Sequence, residues 1–136
     1  MTDIFSLKVE ELSAKIKDSQ LTSVEICKKY IERIKEFEKD VKAWAHFDKK
    51  LLLEKAAEAD DYRRSGKPLG PLHGIPVALK DIVGTVDMPT ECGTVIRKGK
   101  SYSQNAEIVD LLLASGAIIM GKTATSELAY LGPSKT

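Results

Sequence analysis

The sequence is poor in the residues that build cross-linked or metal-bound proteins. It has two cysteines, two histidines and one tryptophan in 136 residues. Cys27 and Cys92 are too few for a disulfide scaffold, and their spacing matches no metal site. His46 and His73 each lack a histidine or carboxylate partner at ligand spacing, so metal binding is not expected. The sequence therefore predicts a chain without a metal or another cofactor.

Charge of one sign and long apolar runs are also scarce. The net charge of +1 gives no electrostatic reason to expect binding to nucleic acid or to an anionic membrane. No apolar run approaches the length of a membrane span, and the N-terminus lacks the pattern of a secretion signal. The hydrophobic fraction of 43% and the charged fraction of 30% are typical of a globular domain. We therefore expect a cytoplasmic protein without direct nucleic-acid or membrane contacts.

The first half of the chain has the pattern of amphipathic helices. A first helix is predicted from about Ser6, and a second begins at the capping-box pattern of residues 22–25, with Thr22 as the cap and Glu25 reaching back. A short strand is predicted at 43–47, and a third helix from about 49 to 64. The residues expected to face inward are Leu7, Leu12 and Ile16, then Val24, Cys27, Ile31 and Ile34, then Leu52, Ala56 and Ala59.

Beyond Pro68 the pattern changes to alternating strands and helices. Strands are predicted at 75–82 and 117–120, and a helix at 106–114 with Ile108, Leu111 and Leu112 inward. Gly116 is expected to end that helix. This alternation predicts an α/β fold with a largely parallel, buried sheet. No domain boundary is apparent, so residues 1–67 are interpreted as outer helices and 68–136 as the start of the core.

Lys80 is the residue hardest to explain by structure alone. It ends an apolar run bounded by glycine and proline, which is typical of a buried strand. A buried ammonium must find partners or give up its proton, and a neutral lysine is a competent general base. Burial against Ile75, Val77 and Leu79 would favour that role. Two alternatives stay open from the residues: an ion pair with Asp81, or a side chain that reaches water from the strand end.

Several segments together resemble the amidase signature family. Residues 70–81 resemble the lysine segment of that family, 90–94 its small-residue turn, 114–123 its helix-to-strand segment and 126–130 the approach to its catalytic serines. The resemblance covers most of the chain. It implies a single mixed sheet covered by helices, and it implies that this chain is the N-terminal portion of one amidase domain.

The resemblance also implies a chemistry. Family members hydrolyse amides with a Ser-Ser-Lys triad, in which a neutral lysine takes the proton of the nucleophilic serine through a bridging serine. Lys80 matches the lysine of this triad. No Gly-Gly-Ser-Ser run occurs in the sequence, so we expect the chain alone to be inactive. The resemblance implies, more weakly, that Thr94 and Tyr130 approach the substrate.

The resemblance leaves the class of amidase open. Residues 121–127 depart from the Asn-containing version common in tRNA-dependent amidotransferase subunits, which favours a stand-alone amidase that converts a carboxamide to a carboxylate and ammonia. The glutaminase component of such an amidotransferase is the alternative. The expected partner is a small-molecule amide substrate, with a homodimer as an open option.

A third alternative is a non-enzymatic fragment or a nucleotide-binding module. Residues 116–123 match the string of a phosphate-binding loop, G-x-x-x-x-G-K-T. In that motif the four central residues form a loop that follows a strand. Here they are Ala117 to Met120, which favour a strand, and a helical pattern precedes them. The sequence therefore argues against nucleotide binding.

Overall fold

The protein consists of four helices and three strands among the residues that its computed structural model describes, 3–130 and 132. The helices are α1 (Val9–Lys17), α2 (Ser23–Val41), α3 (Lys49–Arg64) and α4 (Glu107–Ala114); the strands are β1 (Trp44–His46), β2 (Pro76–Lys80) and β3 (Ile118–Thr123). The predicted order of elements is confirmed. None of the helices in this part of the chain is long and apolar enough to cross a membrane.

The start of α2 shows why its position could be predicted. The Thr22 hydroxyl accepts a hydrogen bond from the Glu25 amide, and the Glu25 carboxylate accepts one from the Thr22 amide. This is the predicted capping box. The bonds from the Thr22 hydroxyl and amide lower the pKa of Glu25, because they stabilise the ionised carboxylate.

Two apolar clusters form the core. One joins α1 and α2 to the approach to β2, and it consists of Ile4, Leu12, Ile16, Ile26 and Ile75. The other lies between α2, α3 and β3, and it consists of Cys27, Leu52, Ala56, Ile118 and Met120. The inward stripes of the first three helices are thus confirmed, since their members are buried or half-buried.

The sheet is mixed, with the strand order β1-β3-β2. The central strand β3 pairs parallel with β2 and antiparallel with β1. The structure therefore has the α/β class that the sequence predicts, although β1 makes the sheet less parallel than the alternating pattern indicated. The register pairs Leu79 with Lys122 and Lys80 with Thr123.

The predicted inward face of α4 is wrong in part. Val109 is buried, whereas Ile108 is 52% exposed and Leu111 is 57% exposed. The helix contains almost only apolar residues, so periodicity gives no direction to its buried side. The predicted end of the helix is confirmed: Gly116 has a φ of +85° and its amide bonds to the Leu113 carbonyl, a conformation that glycine adopts without strain.

Candidate active site

The parallel pairing of β2 and β3 brings their carboxyl ends to one edge of the sheet. Lys80 is the last residue of β2, and Thr123, its partner in the register, is the last of β3. The amide of Asp81 then donates to the Thr123 carbonyl at 2.9 Å. Functional residues of α/β proteins concentrate outside the carboxyl ends of parallel strands. Lys80 therefore stands where such a fold commonly places a site.

The expected burial of Lys80 is wrong for the described structure, because its side chain is exposed. Side chains alternate along a strand, and Ala78, on the same face as Lys80, is exposed as well, whereas Leu79 on the other face is buried. The apolar residues that suggested burial do not enclose the amine: Leu79 lies on the opposite face, and Ile82 is itself 40% exposed. The open alternative of a lysine that reaches water describes this side chain.

Asp81 does not pair with Lys80. Within residues 3–130 no contact of 4.0 Å or less joins their charged groups. Asp81 is instead 2% exposed, and its carboxylate accepts a hydrogen bond from the Glu91 amide at 3.1 Å. The Asp81 carboxylate therefore holds the loop that follows β2, and the ion-pair explanation of Lys80 does not describe the geometry.

Hydrogen bonds connect the three segments that the resemblance assigned to the site. The Asp81 carbonyl accepts from the Cys92 amide at 3.0 Å, and the Cys92 carbonyl accepts from the Leu128 amide at 2.8 Å. The Thr94 hydroxyl donates to the Glu127 carboxylate at 2.9 Å. The end of β2, the turn at 92–94 and the turn at 127–129 therefore lie side by side, although they are far apart in sequence.

These two turns contain unusual backbone conformations. Cys92, Leu128 and Ala129 have φ values of +55°, +52° and +57°, a region that non-glycine residues rarely occupy. Gly93 has a φ of +66°, and a Cβ there would lie 2.6 Å from the Thr125 carbonyl oxygen. Strain of this kind persists where surrounding contacts fix it, and it concentrates at functional sites. The close approach also explains why a glycine follows Cys92.

Thr94 and Tyr130 occupy different surroundings. Thr94 is 7% exposed and lines an open groove of about 540 Å³ together with Trp44, Glu91 and Thr125. Tyr130 is 77% exposed. Among the described residues that line this groove, neither Tyr130 nor Lys80 occurs. The structure thus brings the segments of the three predicted site residues together, but it does not gather their side chains in one cavity.

Lys122 is the functional residue that sequence reasoning missed. Its side chain is fully buried, and its amine donates to the Val83 carbonyl at 2.7 Å and to the Thr90 hydroxyl at 2.6 Å. Burial lowers the pKa of Lys122, and the charges of Asp81, Asp87 and Cys92 oppose that effect. The environment that we predicted for Lys80 is therefore found at Lys122, whose signal in the sequence was the alternation of β3 opposite β2.

The geometry around Lys122 also bears on the nucleotide-binding alternative. Residues 118–123 form strand β3, as the apolar pattern predicted, and not a loop that could surround phosphates. The lysine amine is occupied by Val83 and Thr90. Across residues 3–130, no group of three or more histidine, cysteine or carboxylate side chains is arranged to hold a metal ion.

A model of the amidase family matches residues 25–135, which is most of the chain. The chain therefore belongs to the amidase family. This agrees with the site geometry, since the match includes β2, β3 and the turns that hydrogen bonds connect to the end of β2.

Curated proteins and solved structures similar to the chain include members with different activities. One is the first of the lettered subunits, the A component, of glutamyl-tRNA(Gln) amidotransferase: the Streptomyces coelicolor protein is 37% identical over 129 residues and the Thermobifida fusca protein is 36% identical, each alignment covering 95% of this chain. The structure of a peptide amidase from Stenotrophomonas maltophilia superposes over 90% of this chain, with 33% identity and a TM-score of 0.83.

The chain is short relative to these proteins. It covers 26% of each of the two amidotransferase components and 25% of the peptide amidase. The fold of the covered part is thus shared with amidases, whereas about three quarters of each relative has no counterpart in the chain.

Proposed function

We propose that this chain supplies Lys80 as the general base of an amidase that hydrolyses a carboxamide to a carboxylate and ammonia. The observation that carries the proposal is the position of Lys80 in an amidase-family fold: an exposed amine at the carboxyl end of a strand, bordered by strained turns. In this proposal the amine takes the proton of a nucleophilic serine through a bridging serine, and no metal or cofactor takes part.

The proposal includes a larger polypeptide. The chain covers only about a quarter of its relatives, so we propose that it forms the N-terminal portion of one amidase domain. Further segments would supply the two serines and cover the exposed face of β2 at Ala78 and Lys80. Such a cover would remove water from the amine and favour its neutral form. On this proposal the 136-residue chain by itself has no nucleophile and is inactive.

The test is ammonia release from a panel of simple carboxamides by the whole amidase polypeptide. Lys80→Ala should lower turnover by about a hundredfold or more, the range expected when a general base is removed. Lys80→Arg should be about as harmful, because a guanidinium stays protonated and cannot accept the serine proton. The rate should also fall on the acid side of the pH profile as Lys80 becomes protonated. An active, stable Arg variant would exclude Lys80 as the base.

The measurement needs a control for stability. Lys80 is exposed, so both variants should leave the melting temperature nearly unchanged. Asp81→Asn is the matched variant for the ion-pair explanation, which predicts that it harms turnover as much as Lys80→Ala. Since Asp81 instead accepts from the Glu91 amide, we expect Asp81→Asn to lower the melting temperature first.

The alternative function, the glutaminase component of a tRNA-dependent amidotransferase, is favoured by the similarity to the proteins of Streptomyces coelicolor and Thermobifida fusca. The two functions differ in their amide and their partners. A stand-alone amidase should release ammonia from simple carboxamides without any other protein. The amidotransferase component should instead use glutamine, and its rate should rise when the other subunits and glutamyl-tRNA are added.

A further inference from the structure

The buried polar cluster below the end of β2 contains a lysine that the fold does not need for packing. Lys122 has no exposed surface, and a buried ammonium costs several kcal/mol of desolvation that hydrogen bonds only partly offset. An apolar side chain of similar length would fill the same space without that cost. The amine is therefore more informative than the volume it occupies.

Its two hydrogen bonds lead directly to the backbone of Lys80. The Val83 carbonyl accepts from the Lys122 amine at 2.7 Å, while the Val83 amide donates to the Lys80 carbonyl at 3.0 Å. The second acceptor, Thr90, precedes Glu91, whose amide binds the Asp81 carboxylate. The amine thus fixes both ends of the loop that folds back on the strand end.

The register separates Lys122 from the surface on which Lys80 lies. Lys122 is opposite Leu79, and both are buried, whereas Lys80 is opposite Thr123 and is exposed. Because neighbouring side chains on a strand point to opposite faces, the two lysines lie on opposite faces of the sheet. Lys122 can then affect Lys80 only through the backbone turn between them.

We propose that Lys122 is a positioning residue, which orients the Lys80 amine by tying the Val83 carbonyl and the Thr90 hydroxyl to the end of β2. This inference rests on the proposed function of Lys80. A displacement of about 1 Å at a reacting group can lower a rate about a hundredfold. The binding of substrate should change little, because Lys122 is buried away from the exposed face.

The test is the steady-state kinetics of Lys122→Met in the whole amidase polypeptide, per folded molecule. The methionine keeps the volume, and the Thr90 hydroxyl, already 3.4 Å from the Val83 carbonyl, can satisfy that oxygen. We expect kcat to fall about tenfold to a hundredfold with KM unchanged within about twofold. The acid limb of the pH profile should stay at the same pH with a lower plateau.

Two other results would overturn the inference. An unchanged kcat would show that Lys122 only stabilises the fold, and a displaced or absent acid limb would show that Lys122 itself titrates in the reaction. If Lys122→Met does not fold, Thr90→Val decides, because it removes one acceptor and keeps the ammonium. A lower kcat at unchanged KM supports positioning, and an unchanged kcat refutes it.

Matched variants separate this inference from the proposed function. Lys50→Met removes an exposed lysine of α3 and should leave kcat and KM at their original values. Lys80→Ala, measured in parallel, must lose turnover. If it does not, the proposed function fails whatever Lys122 does; if it does while Lys122→Met keeps full kcat, only the positioning role fails.

Discussion

Asp60 caps a helix that begins 37 residues earlier in the chain. Its carboxylate accepts hydrogen bonds from the Ser23 amide at 2.8 Å and from the Val24 amide at 3.1 Å. The first amides of a helix have no partner within it. With Thr22 and Glu25 capping each other's amides, Asp60 supplies the acceptors for the remaining two. The residue therefore joins α3 to the positive end of α2, in the interior.

The cost of removing this cap can be worked out from its two bonds. A hydrogen bond to a charged group contributes about 1.5–3 kcal/mol, and a buried donor without a partner costs about 1–3 kcal/mol. The bond to Ser23 is short and fully buried, whereas the bond to Val24 is longer and partly buried. We therefore expect Asp60→Ala to lower the free energy of unfolding by about 3 kcal/mol. Asp60→Asn, which keeps one acceptor oxygen, should lower it by about half as much.

The neighbouring aspartate is the natural control. Asp61 has a side chain that is 71% exposed and pairs with Arg64 at the surface. Such pairs contribute about 0–1 kcal/mol, so Asp61→Ala should change the free energy of unfolding by less than about 0.5 kcal/mol. Urea unfolding followed by circular dichroism measures all three variants. Equal losses for Asp60→Ala and Asp61→Ala would refute the assignment of the cap.

Three further predictions concern single side chains. Burial raises the pKa of the Cys27 thiol to about 12 from 9.0, so the folded state keeps a proton that the unfolded chain loses. Stability should then fall by about 1.4 kcal/mol per pH unit above pH 9.0, and Cys27→Ala should abolish that slope in urea unfolding. Val109→Ala should cost about 2 kcal/mol while Leu111→Ala costs less than about 0.5 kcal/mol; the reverse order in thermal melts would mean that α4 is rotated. Calorimetry should detect no binding of magnesium ATP or GTP, and micromolar binding that Lys122→Ala removes would restore the phosphate-loop interpretation.

The features that could be predicted from the sequence are those whose physical cause is local. The capping box of Thr22 and Glu25 needs only residues three positions apart, and the end of α4 needs only a glycine that tolerates positive φ. Asp60 shows the limit of this reasoning. Nothing near it in sequence indicates its role, because both of its donors belong to another helix.

The buried side of an element is harder to predict when one kind of residue dominates it. In α4 the leucines and isoleucine surround the axis, so the sequence contains no polar face to oppose an apolar one. The choice of Val109 as the buried residue then depends on what packs against the helix. The same holds for Ala78 and Lys80, whose exposure follows from the absence of a described neighbour on that face of β2.

The two lysines at the strand ends show why burial of a charge is a tertiary property. Lys80 and Lys122 both end apolar runs, and local hydrophobicity gives each of them the same expectation. The parallel register decides between them, because it sets Lys122 beside buried Leu79 and Lys80 beside the half-buried Thr123. A shift of the pairing by one residue would exchange the faces on which they lie. The amine suited to accept a proton from a substrate-bound group is therefore the exposed one, and the buried amine, with both of its acceptors in the loop after β2, is suited to hold that loop in place.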